Sequence, residues 1–131
     1  MTRRQVRETI FKMIFRAEFH DRAEMPEQLE LLEEELDDLD EESRVYIEHK
    51  SLDIIARLDE LDAAINERAQ GWKTSRMSKV DLSIIRLALY EIRYEEEVPL
   101  KVSINEAVEL AKKFGTDDSA SFVNGLLTKF A

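Results

Sequence analysis

Apolar residues recur every three to four positions along most of the chain, and no stretch alternates with period two for long enough to make a strand. The pattern predicts about six or seven helices. Thr2 with Gln5 forms a capping box that opens the first helix, which runs to about His20. Met25-Pro26 opens the second, with Leu29, Leu32 and Leu36 along one side. Asp40-Glu41-Glu42-Ser43 starts a long third helix with Val45, Leu52, Ile55 and Ala56 inward and a break near Leu58–Leu61. Gln70-Gly71-Trp72 is the clearest interruption. Ser78 with Asp81 caps the next helix, to about Tyr94. After Val98-Pro99 come two short helices joined by a tight turn. Ser103 with Glu106 is expected to cap the first of them, and Gly115 to take a left-handed C-cap. Asp117 or Asp118 would cap the second.

The first helix carries more apolar surface than one core needs. Val6, Ile10, Met13 and Ala17 form one stripe, and Phe11, Phe15 and Phe19 form another roughly opposite. Either the helix is buried on two sides, or the end of the phenylalanine stripe is exposed to receive a partner. The expected architecture is all-α: one domain over residues 1–131, with two small helical subdomains packed together, about 1–70 and 71–131.

Composition narrows the chemistry. A chain of 131 residues can bury a core without disulfides, and it contains no cysteine. Charges interrupt the first 23 residues and no apolar run reaches membrane-spanning length, so a cytoplasmic protein without membrane contact is expected. The net charge of −10 is unevenly spread. Residues 24–62 carry 16 acidic and 3 basic side chains. Residues 1–16 carry Arg3, Arg4, Arg7, Lys12 and Arg16 against Glu8 alone. At a Debye length of about 8 Å the local field outweighs the total, so a basic contact face survives the acidic balance.

Enzymatic readings find little support. His20 and His49 lack paired ligand spacing, so no metal site is expected. Glu95-Glu96-Glu97 and Asp117-Asp118 read as surface or caps rather than acid/base pairs. There is no glycine-rich phosphate loop and no nucleophile motif, and neither catalysis nor a cofactor is expected.

Three segments carry a resemblance. Pro99-Leu-Lys-Val-Ser-Ile-Asn-Glu-Ala-Val-Glu-Leu-Ala-Lys112, followed by Asp118-Ser-Ala-Ser-Phe122-Val-Asn-Gly125, closely resembles the C-terminal signature of the NusB transcription antitermination family. Val80-Asp-Leu-Ser-Ile-Ile-Arg-Leu-Ala-Leu-Tyr-Glu-Ile92 looks like that family's preceding helix, and Thr2 to Ile14 like its basic first helix. Residues 24–70 are matched by helical character only.

The resemblance implies an RNA-binding factor, not an enzyme. With the ribosomal protein NusE it would bind the boxA element of nascent ribosomal RNA and join the transcription elongation complex. Arg3, Arg4 and Arg7 suit phosphate contacts. The family's RNA face also includes the positions of Asp118, Ser121 and Phe122, with Lys101 a weaker candidate. Many members carry a lysine where Ser121 stands. The plain alternative for Phe122 is core packing. The family's partner contacts point to Phe15, Phe19 and Asp81, although Asp81 also reads simply as a first-turn residue favoured by the helix dipole. Asn105 and Asn124 are expected to hold loops. A free homodimer stays open. The competing class is an acidic protein-interaction scaffold, using residues 24–62, that binds no RNA.

Overall fold

The computed structural model describes residues 1–131, and all of its regular structure is helical. Seven α-helices fall into two compact units, Met1–Arg57 and Leu58–Ala131. The Gln70-Gly71 turn lies within the second unit.

The first unit holds α1 (Arg3–Arg16), α2 (Met25–Glu34) and α3 (Glu41–Ala56). The Thr2 capping box forms as expected: the Gln5 amide donates to Thr2 Oγ1 at 3.1 Å, and the Thr2 amide to Gln5 Oε1 at 2.8 Å. Helix α1 ends at Arg16 rather than His20. There the Arg16 guanidinium turns to α2, donating to the Gln28 carbonyl at 3.2 Å and lying 3.7 Å from Glu35. Pro26 sits in the first turn of α2, and Asp40 caps α3 by accepting from the Ser43 amide at 3.0 Å.

The inward face of α3 differs from expectation. Ile47, Ser51, Ile54 and Ile55 are buried, whereas Val45, Leu52 and Ala56 are exposed. Two stripes of equal period run along this helix, one interrupted by Ser51 and the other by His49. The serine stripe is inward, with the Ser51 hydroxyl buried without a hydrogen-bond partner.

The second unit holds α4 (Leu58–Arg68), α5 (Lys79–Tyr94), α6 (Leu100–Phe114) and α7 (Ser119–Leu127). Helix α5 packs against the other three and is buried without interruption from Leu82 to Glu91. Ser78 caps it, accepting from the Asp81 amide at 3.0 Å.

Three expected caps in the C-terminal pair differ from expectation. Helix α6 starts at Leu100, after Pro99, so Ser103 lies inside it, buried, and donates to Glu91 Oε1 at 3.3 Å. A side chain in that position serves a buried carboxylate on α5 instead of the helix end. Gly115 is extended, with φ −93°, not left-handed. It is needed for close approach: a Cβ there would stand 2.4 Å from Ser119 Oγ and 2.7 Å from the Ala111 carbonyl oxygen. Ser119 also closes the turn, accepting from the Thr116 amide at 3.0 Å, while the Asp118 side chain makes no capping bond. Asn105 and Asn124 are exposed on helices. The loop-holding asparagine is Asn66, whose Oδ1 accepts from the Thr74 amide at 2.8 Å and whose Nδ2 donates to Thr74 Oγ1 at 3.3 Å.

Candidate functional site

The candidate residues fall on both units, and each patch has its own local logic. On the first unit, Arg3 and Arg4 are exposed in the opening turn of α1, with Arg7 half-buried one turn on. That turn contains no acidic residue. Cations at the positive end of a helix oppose the macrodipole at about 0.3–1 kcal/mol each. The arrangement therefore costs stability and favours an anionic ligand.

The three phenylalanines of α1 form a ladder from core to surface. Phe11 is buried, Phe15 half-buried, and Phe19, just past the helix end, is 61% exposed. Successive ring centroids are 6.4 and 5.1 Å apart. The lower rungs hold the upper one in place, so Phe19 presents a pre-ordered apolar surface.

The acidic segment has internal structure as well. Arg44 is bonded to both Glu41 and Glu48, and Glu48 in turn adjoins Glu33 on α2. Partial burial, then the hydrogen-bonded and negatively charged Glu48, push the Glu33 carboxyl up to about 7. Arg44 opposes the shift without cancelling it. The Asp40 carboxylate is held well below the usual range by bonds from the Ser43 amide and hydroxyl and the Met1 amino group.

On the second unit, Asp118, Ser121 and Phe122 share the start of α7, where the Phe122 amide donates to the Asp118 carbonyl at 3.1 Å. Asp118 and Ser121 are exposed and Phe122 is half-buried. The Phe122 ring packs edge-to-face with Trp72, centroids 5.9 Å apart and planes at 68°. Sequence reasoning used Trp72 only as a loop marker. The available signal was the only tryptophan of the chain, placed after Gly71 and before Lys73, Arg76 and Lys79. Lys101 is exposed in the first turn of α6.

Asp81 lies in the first turn of α5. One carboxylate oxygen, Oδ1, is buried without a hydrogen-bond partner, and the dipole of α5 favours the negative charge there. No helix of the protein is long and apolar enough to cross a membrane.

Comparison with known proteins gives a consistent picture. A family model described as "NusB family" matches residues 4–131. The transcription antitermination protein NusB of Agathobacter rectalis is 60% identical over 131 residues, covering all of both chains. That of Lachnoclostridium phytofermentans is 50% identical over 129 residues, covering 98% of each. The solved structure of T. maritima NusB superposes with a TM-score of 0.83 at 34% identity, over 100% of this chain and 91% of that one.

Proposed function

The chain belongs to the NusB family, and from that premise we propose that it is a non-enzymatic transcription antitermination factor acting through RNA. Residues 1–131 act as a single NusB-like helical domain. With the ribosomal protein NusE it binds the boxA element of nascent ribosomal RNA and enters the elongation complex in the cytoplasm, so that RNA polymerase reads through terminators.

The mechanism is binding and assembly. Arg3, Arg4 and Arg7 contact phosphates, and Lys101 adds a further cation. Phe122, with Asp118 and Ser121 beside it, receives unstacked bases, which single-stranded RNA offers and duplexes do not. Phe15, Phe19 and Asp81 dock NusE. Several weak contacts joined through one chain give useful affinity, because the second engagement is intramolecular.

The observation that carries the RNA reading is the pair of exposed arginines, Arg3 and Arg4, at the positive end of α1 with no acid in the same turn. The test is fluorescence anisotropy of a labelled boxA-type RNA, with and without cognate NusE, beside a scrambled RNA. The expected result is saturable, sequence-dependent binding that tightens with NusE. Three or four phosphate contacts give a log–log salt slope of about −2 to −3. A folded protein that binds neither RNA, with or without NusE, would overturn the reading in favour of an acidic protein-interaction scaffold.

A further inference from the structure

We infer that Trp72 is a base-stacking residue, forming with Phe122 an aromatic subsite for one unstacked nucleobase of single-stranded RNA; the inference rests on the RNA-binding function proposed above.

Trp72 is 58% exposed although tryptophan is on average a highly buried residue. Its edge-to-face contact with Phe122 engages only part of the indole. The loop that presents it is pinned. Gln70 and Gly71 take φ of 27° and 89°, a left-handed pair that turns the chain sharply, and the Trp72 amide donates to the Ala69 carbonyl at 2.9 Å. Beyond the ring, Asn66 bonds the Thr74 amide and hydroxyl, and Lys73 Nζ reaches the Asn66 carbonyl at 3.4 Å. An exposed aromatic on a fixed backbone has little ordering entropy left to lose on binding.

Charge selects the class of ligand. Residues 70–79 contain Lys73, Arg76 and Lys79 and no acid. All three are exposed. The acids nearest Phe122 in sequence, Asp117 and Asp118, repel phosphate, so attraction at this patch comes from the Trp72 loop itself. An exposed indole on a loop that carries cations and no acid matches the stacking platform and cationic track by which proteins hold single strands. An apolar protein segment would satisfy the ring but would make no use of the basic character of this loop, which carries Lys73 and Arg76 and no acid.

Trp72 is the only tryptophan, so its emission reports this subsite alone. The labelled boxA-type RNA is titrated with the whole protein while anisotropy and tryptophan emission are followed together. Binding should quench the emission at the same midpoint as the anisotropy change. Replacing one nucleotide at a time by an abasic residue should abolish the quench at a single position. Trp72→Leu should weaken binding roughly tenfold, the scale of one base–aromatic stack, with an unchanged salt slope. Trp72→Phe should restore most of the affinity, and both variants should melt like the parent. Anisotropy binding with unchanged emission, or Trp72→Leu binding like the parent, would overturn this inference and leave the RNA function standing. Emission that responds to NusE but not to RNA would reassign the ring to a protein contact. No RNA binding at all would remove both readings.

Discussion

Arg86 and Asp62 are joined by two hydrogen bonds, Nε to Oδ1 at 2.8 Å and Nη2 to Oδ2 at 2.6 Å, which tie the buried middle of α5 to α4. Arg86 is 5% exposed, and Asp62 supplies a charge that answers its buried guanidinium. Removing one member of a buried pair leaves the other less well compensated, whereas replacing both by apolar groups does not. Asp62→Ala should cost about 3 kcal/mol in urea unfolding. The double change Arg86→Met with Asp62→Leu should be much closer to the parent. A double variant as unstable as the single one would show that the pair contributes more than mutual neutralisation.

Gly115 and Gly125 should respond oppositely to alanine. At Gly115 the new methyl meets Ser119 Oγ and the Ala111 carbonyl oxygen, and the carbonyl belongs to backbone that cannot swing aside. A loss of about 1–3 kcal/mol is expected. At Gly125, within α7, nothing lies within 4 Å of the added carbon. Alanine should there raise stability by about 0.5–1 kcal/mol through helix propensity. Thermal melts of the two variants beside the parent decide both, and equal shifts would contradict the packing described for Gly115.

Glu33 makes stability pH-dependent in an unusual direction for a carboxylate. Its carboxyl is pushed from 4.5 up to about 7, so between these values the folded chain holds a proton that the unfolded chain has released. Stability from this group is therefore present below pH 4.5 and is lost as pH rises through 7. Glu33→Gln keeps the hydrogen-bonding shape without the charge. It should raise the melting temperature at pH 8 and change it little at pH 4.5. The same shift at both values would mean that neither burial nor Glu48 raises the Glu33 carboxyl in solution.

The double substitution Arg3→Ala and Arg4→Ala should weaken RNA binding and reduce the salt slope by about 1.4, the share of two phosphates on a single strand. Removing two cations from the start of α1 should leave stability unchanged or slightly higher. NusE binding should persist. Phe19→Ala is the complementary change, weakening NusE binding while melting like the parent, because the ring is exposed. Both measurements are anisotropy titrations, and equal loss of both partners in either variant would show that the two faces are not separate.

What the candidate site owes to sequence is uneven. Arg3, Arg4 and Phe19 were legible because exposure follows from position on one helix: its first turn, and the end of a stripe. Trp72 was not, since its partner Phe122 lies 50 positions away and no periodicity links a loop to a later helix. The same distance separates the two readings of Phe122, which is half-buried against Trp72 rather than fully packed or fully open.

The sequence by itself determined what is decided within about one helical turn. Thr2, Asp40 and Ser78 cap the helices that follow them, and Pro26 starts α2. These rest on bonds between residues three or four apart, which local order dictates. Tertiary structure decided which stripe of α3 faces inward, because Val45–Leu52 and Ile47–Ile54 have the same period and periodicity does not choose between them. It also took Ser103 from a helix cap to a buried partner of Glu91, and made Gly115 a point of close approach instead of a left-handed cap. In each case a side chain has two satisfactory local uses, and packing against a distant element chooses between them.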